Sequence, residues 1–135
     1  MAAALAAGLP HMAWAGWSYD VLSRRLASGE TPTVVMRLAK CTGGEKFGQA
    51  GFAVVRFQAW NVIDRWIATS DNHLFLSSKT GAMTLQYVRL RLTPDGGARV
   101  YLRQLDPTTF RPLEDATELA CGTDSEALTF VSPGN

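Results

Sequence analysis

The stretch TLQYVRLRL-TPDGG-ARVYLRQL, residues 84–105, decides the fold. Apolar and polar residues alternate on both sides of TPDGG, and this period of two is typical of a β-strand with one buried face. Pro94, Asp95 and Gly96 suit a turn, so the two halves are predicted to pair as an antiparallel hairpin. The inward residues are Val88, Leu90, Leu92, Val100 and Leu102; the opposite face carries Arg89, Arg91, Arg99 and Arg103.

Two further strand predictions lie upstream of the hairpin. Residues 51–62 are rich in Phe, Val and Trp and predict one long strand with a wetter face, formed by Arg56 and Gln58. Residues 65–77 are also aromatic but contain the polar break Ser70-Asp71-Asn72. This break favours two short strands or one bulged strand.

Shorter elements are predicted at both ends of the mature chain. Ser18 is a candidate N-cap for a helix that ends before Gly29, and Pro32 precedes a β-branched strand over 33–38. Downstream, a Pro-containing connection over 106–117 leads to a segment with the second cysteine, and residues 128–131 predict a last strand. The predicted fold class is mainly β (α+β), an antiparallel sheet or small barrel with one short N-terminal helix.

The first fifteen residues have the pattern of an export signal. Met1–Ala15 is small and apolar, and Ala13-Trp14-Ala15 is a small-x-small site before Gly16. Cleavage there leaves a single β-rich domain, 16–135, in the periplasm or secreted. No Lys or Arg precedes the apolar stretch, so either the natural start lies elsewhere or the segment has another origin, such as expression-derived residues ending at Met12.

Composition excludes several classes of protein. Charged residues are 19% of the 135 residues and the formal net charge is +1, which does not suit a nucleic-acid binder. No apolar run reaches the length of a membrane-spanning helix. The two cysteines and the one histidine that remains after cleavage, His73, cannot at these spacings fill a tetrahedral zinc shell without distant carboxylates, and no cofactor is expected.

Cys41 and Cys121 are the only cysteines. An even count in a small exported chain favours a disulfide between them. Two buried free thiols in a cytosolic protein are the alternative. A catalytic thiol is disfavoured because Cys41 follows a lysine and has no neighbouring histidine in the sequence.

Three groups of residues are candidates for binding or chemistry. The hairpin arginines, extended by Arg56, could bind a carboxylate or an anionic polymer, or could form a solvated face paired with acidic residues. Trp17, Trp60 and Trp66 could be core residues or line a concavity for a sugar or a lipid. His73 could pin a bulge or loop, contact a ligand or, with nearby serine and acidic residues, take part in catalysis.

Short segments of the chain, in order, resemble the VirK family of small exported bacterial proteins named after a virulence-regulon product. The segments are YDVL (19–22), LASG (26–29), LAKCT (38–42), IATSDNH (67–73), YVRLRLTPDG (87–96) and Cys121. The resemblance implies a role in host interaction and brings no established catalytic residues.

These observations lead to one hypothesis and two alternatives. The hypothesis is an exported, non-enzymatic accessory domain that binds a protein or an anionic glycan of the host or cell envelope. The first alternative is an enzyme that acts on envelope glycans through His73 or the acidic residues Glu114, Asp115 and Glu118. The second is a small inhibitor or ligand carrier, suggested by the fold class alone.

Overall fold

The structure, a computed structural model, describes residues 17–48, 51–122 and 126–132. The predicted export signal, Met1–Ala15, lies outside the described residues. The elements are α1 (Tyr19–Ala27), β1 (Thr33–Arg37), β2 (Phe52–Arg56), β3 (Trp60–Ile63), β4 (Trp66–Leu76), β5 (Met83–Leu92), β6 (Ala98–Leu105), β7 (Thr117–Cys121) and β8 (Leu128–Val131).

The strands form two antiparallel sheets. The first has the order β2-β1-β8 and the second the order β3-β4-β5-β6-β7. This confirms the predicted antiparallel, mainly β class with one short helix. The alternative of a small barrel is wrong, because in the described part of the chain the two sheets remain separate and neither closes on itself.

Helix α1 forms as the sequence predicts. The Ser18 hydroxyl accepts a hydrogen bond from the Val21 N–H at 3.2 Å, which satisfies one of the free amides of the first turn. Leu22 and Leu26 lie one turn apart and are both fully buried. The helix therefore covers one end of the core with a narrow apolar edge.

The core joins the two sheets through their inner faces. Val34, Met36 and Val55 come from the first sheet, and the inward residues of the β5–β6 hairpin come from the second. Phe130 of β8 lies between two other rings, with centroids 5.2 Å from Trp17 and 6.2 Å from Phe57. Trp17 is thus a core residue.

The long strand predicted over 51–62 is wrong: the chain leaves the first sheet after Arg56 and enters the second sheet at Trp60. Phe57 is fully buried at this crossing, and its N–H donates to the Pro32 carbonyl at 3.0 Å. Its side chain continues the alternation of Val55, so the sequence pattern gives no sign of the crossing. The change of sheet depends on packing.

The bulge or break predicted near Ser70 is also wrong. Strand β4 is continuous, and its register with β5 advances one residue at a time from Ile67 opposite Leu92 to Leu76 opposite Met83. The polar residues are tolerated because this half of the strand extends beyond the core and both its faces are largely exposed. A strand that is exposed on both faces does not show the alternation of apolar and polar residues from which a strand is predicted.

The hairpin of β5 and β6 is confirmed, with its turn held by Asp95. The Asp95 carboxylate accepts hydrogen bonds from the Thr93 hydroxyl and, at 3.0 Å, from the Gly97 N–H. Gly96 has φ +87°, a conformation that favours glycine. The bonds from Thr93 and Gly97 lower the pKa of Asp95 below its ordinary value of 3.8.

Replacing Asp95 with Asn is expected to reduce the acid sensitivity of the fold. A lowered pKa in the folded state means that ionised Asp95 stabilises the hairpin above about pH 4, and that this stabilisation is lost as the pH falls through the folded pKa. Urea unfolding at several pH values from about 6 to about 2.5 measures the effect. An equal slope of unfolding free energy against pH for wild type and Asp95→Asn would contradict the assignment.

The Cys41–Cys121 disulfide is present and joins the two sheets. Cys41 follows β1 by a 3₁₀ turn over Leu38–Lys40, and Cys121 is the last residue of β7. Both cysteines are buried, and beside them Thr42 pairs with Ala120. The bridge therefore closes the end of the molecule where the two sheets meet.

Replacing both cysteines with alanine is expected to lower the free energy of unfolding substantially. The bridge closes a sequence separation of 80 residues. In the chain-entropy treatment such a loop contributes about 4.5 kcal/mol, of which engineered bridges often deliver less. Urea denaturation of the oxidised protein and the double variant measures the loss. Equal midpoints would contradict a stabilising role, and mass spectrometry would verify that the reference protein is oxidised.

Candidate functional site

The outer face of the second sheet carries a cluster of arginine and aromatic side chains, here called the Arg face. Strand register places Arg89 opposite Tyr101, Arg91 opposite Arg99, and Tyr87 opposite Arg103. Residues directly opposite each other share a face. The Arg face consists of Trp66, Tyr87, Arg89, Arg91, Arg99, Tyr101 and Arg103, which confirms that the four hairpin arginines lie on one surface.

Aromatic residues position three of the four guanidinium groups, two by ring stacking and one by a hydrogen bond. The Cζ of Arg89 lies 4.8 Å from the Tyr101 ring centroid, and that of Arg91 lies 5.7 Å from the Trp66 ring. Arg103 Nη1 donates to the Tyr101 hydroxyl at 2.8 Å. Stacking on a ring leaves the guanidinium edge free to donate hydrogen bonds. These arginines are therefore positioned before any ligand arrives.

Several shallow depressions border the Arg face, and two of them share Arg89 and Arg91. The larger of these two has a volume of about 400 Å³ and includes Asn61, Ser70, Tyr87 and both Arg89 and Arg91. The smaller, about 210 Å³, lies between Trp66 and Tyr101 and is bordered by Arg99 and Glu118. Arginines 89 and 91 line both. The surface therefore offers cations, ring faces and neutral hydrogen-bonding groups side by side.

The arginines of the Arg face form no ion pair with the described residues. The ion pairs among the described residues join Arg25 to Glu30 and Arg37 to Glu126, and both lie away from the Arg face. Glu118 borders the smaller depression without forming an ion pair there. Arg91 and Arg99 lie directly opposite each other, and a like-charged cross-strand pair destabilises a sheet. The expected pairing with acidic residues is thus not seen on this face.

Other predicted site residues lie elsewhere. Arg56 is exposed on the first sheet and does not extend the Arg face, because β2 belongs to that sheet. Trp60 is opposite Thr69 and so lies on the other face of the second sheet from Trp66, although it also borders the larger depression beside Arg89. The tryptophans therefore do not line one shared concavity in the described part of the molecule.

His73 is exposed on β4, opposite Gln86 and on the face that turns toward the first sheet. Its ring centroid lies 5.7 Å from that of Phe75. The predicted role of pinning a bulge is wrong, since the strand is continuous there. Catalysis or ligand contact at His73 stays a prediction.

Tyr87 and Tyr101 are members of the site that the sequence analysis missed. Both have the same period-two spacing as the arginines, so strand alternation could have placed them on the same face. Glu118 could not be placed in this way, because its position beside Tyr101 depends on the pairing of β6 with β7.

Among the described residues, no group of three or more metal-ligating side chains comes together.

Replacing Arg99 with Gln is expected to raise the free energy of unfolding of the ligand-free protein by about 0.2–1 kcal/mol at low salt. The substitution removes one member of the like-charged pair with Arg91, and the gain should shrink as salt screens the repulsion. Urea denaturation at about 20 mM and about 500 mM NaCl measures it. Lys79→Gln, which removes a charge from an exposed turn, is the matched control; an equal effect there would contradict the pair as the cause.

The fold and the Arg face together define a disulfide-linked, two-sheet antiparallel protein with a cationic surface rich in aromatic rings. The family model described as VirK protein matches residues 17–110, more than half of the chain. The chain belongs to the VirK family.

A solved structure supports the fold. The chain resembles the crystal structure of a VirK family protein from Legionella pneumophila, with a TM-score of 0.69 and 22% sequence identity, over 84% of this chain and 94% of that one. At this identity the likeness shows the fold alone. No curated protein matches the chain. In the described residues, no helix is both long enough and apolar enough to cross a membrane.

Proposed function

We propose that this VirK family chain is an exported, non-enzymatic domain that binds an acidic glycan of the host or the cell envelope through the Arg face. The observation that carries the proposal is the like-charged pair Arg91 and Arg99, which forms no ion pair within the described residues. Arg91 of this pair is stacked on Trp66, and the neighbouring Arg89 is stacked on Tyr101. The repulsion between the guanidinium groups of Arg91 and Arg99 destabilises the free protein, and an anion that binds between them removes it.

The rings of the Arg face and the polar groups that line its depressions favour an acidic sugar polymer over a polyphosphate. Trp66, Tyr87 and Tyr101 offer rings on which the apolar face of a sugar can stack. Asn61 and Ser70 can hydrogen-bond to sugar hydroxyls. Glu118 can accept from a hydroxyl, whereas its charge opposes a dense row of phosphates. Carboxylates of the sugars would meet the arginines as bidentate partners.

Export is supported by the disulfide and by the apolar N-terminal pattern. Disulfides persist in oxidising compartments and are rare in the cytosol. Cys41 and Cys121 are both committed to one bridge, as expected for a protein that works outside the cytoplasm. An exported protein meets the glycans of the cell envelope and of the host, which supports the proposed class of ligand.

Polygalacturonate, a polymer of acidic sugars, is the first probe. Calorimetric titration should show binding that weakens as NaCl rises from about 50 to about 300 mM, because exposed charge–charge contacts are screened. The Arg89→Gln/Arg91→Gln variant should bind at least about tenfold more weakly, since a hydrogen bond to a charged group contributes about 1.5–3 kcal/mol. Neutral dextran should not bind.

The matched control is Arg24→Gln/Arg56→Gln, which removes two exposed cations that lie away from the Arg face. Its affinity should stay within about twofold of wild type at about 150 mM NaCl. Equal loss in both double variants would indicate attraction by net charge alone and would overturn the site. Tighter binding to a single-stranded oligonucleotide than to polygalacturonate would overturn the choice of ligand.

A further inference from the structure

The edge of strand β2 has backbone groups that the fold does not use. The ladder between β1 and β2 is bounded by two hydrogen bonds, from the Leu38 N–H to the Gly51 carbonyl at 3.2 Å and from the Phe57 N–H to the Pro32 carbonyl at 3.0 Å. In an antiparallel ladder, residues that bond to the neighbouring strand alternate with residues that point away from it. The two bonds therefore fix the direction of every amide in β2.

Ala53 and Val55 direct their N–H and carbonyl groups to β1, because they are spaced by two from Gly51 and Phe57. Phe52 and Val54 direct theirs to the open edge. Within the described residues, the amides of these two residues have no hydrogen-bond partner. Two donors and two acceptors thus stand in a row on the edge of the first sheet.

The same edge lacks most of the features that protect sheet edges. Phe52 is 64% exposed and Val54 is 49% exposed, both on the outer face of the sheet. Natural edges are commonly blocked by charges, by proline or by a bulge. Arg56, at the end of β2, is the only charged residue in the strand. An apolar, regularly paired edge of this kind is a template for another strand.

A crevice of about 330 Å³ lies between the second sheet and this edge, where Phe52, Ala53 and Val54 line it. Its far wall includes Asp71, His73 and Gln86 on the inner face of β4 and β5. Asp71 accepts a hydrogen bond from the neighbouring Asn72 N–H at 2.8 Å and has no ion-pair partner in the described part of the chain. The crevice therefore presents an unpaired carboxylate opposite an open strand edge.

We propose that β2 adds an extended segment of a partner protein as a fourth strand, and that this segment alternates apolar and basic residues. Cross-strand neighbours share a face, so peptide residues opposite Ala53 and Val55 enter the crevice, where a basic side chain can meet Asp71. Peptide residues opposite Phe52 and Val54 lie outside and gain apolar contact. Arg56, on the outer row, disfavours a cation there.

This second site is separate from the Arg face, because the β2 edge belongs to the first sheet and Asp71 lies on the inner face of the second sheet, opposite the Arg face. Strand β3 is a useful internal comparison. It is also an edge with exposed apolar residues, including Val62, but it does not line the crevice that contains Asp71.

A fluorescein-labelled peptide of alternating valine and lysine tests the proposal by polarisation, with amide shifts of ¹⁵N-labelled protein to locate the site. Val54→Pro removes the outward donor and leaves the β1 ladder intact, so affinity should fall at least about tenfold. The matched variant Val62→Pro on β3 should bind as wild type. Asp71→Asn should weaken binding at least about threefold.

Shifts at Phe52 and Val54, together with these losses, would support strand addition. Unchanged binding by Val54→Pro, or shifts confined to β3 or the Arg face, would overturn it. Concentration-dependent dimerisation through β2, seen by sedimentation, would also overturn it by showing a second copy as the occupant. If Val54→Pro does not fold, Val54→Lys supplies the test, since an edge charge blocks pairing. Arg89→Gln/Arg91→Gln should bind the peptide normally, so the two proposals can fail separately.

Discussion

The alternation of side chains along β5 is the constraint on which the rest of the structure depends. Val88, Leu90 and Leu92 point into the core, so the residues between them must point outward. Strand β5 pairs with β4 on one side and with β6 on the other, so its alternation also determines which residues of these two strands face the core. The alternation in this one strand thus determines both the apolar inner face of the second sheet and its cationic outer face.

The first sheet depends on a different kind of connection. It holds only three strands, and its contacts with the second sheet come from packed side chains and from the Cys41–Cys121 bridge. Three strands give a smaller buried face than five, so cross-linking this sheet to β7 offsets a limited core. The bridge closes one end, and the crevice beside β2 shows that the two sheets separate elsewhere.

The proposed binding surfaces follow from this division. The Arg face is an outer surface of the larger sheet, where ring stacking orders the guanidinium groups, and it suits an extended anionic chain. The β2 edge belongs to the smaller sheet and suits a backbone partner, because its free groups are amides and carbonyls. A protein with both could link a glycan to a polypeptide without conformational change in either sheet.

Local patterns in the sequence determined helix α1, the β5–β6 hairpin, the side on which its arginines lie, and the cysteine pair. Each of these depends on neighbours in the chain or, for the cysteines, on there being no other choice. Only the tertiary structure decided that residues 51–62 divide between two sheets and that Arg56 is therefore not part of the Arg face. It also decided that Trp60 and Trp66 lie on opposite sides. Strand period reports which side of a strand is buried but not which sheet the strand joins, because sheet assignment depends on contacts between residues distant in the chain.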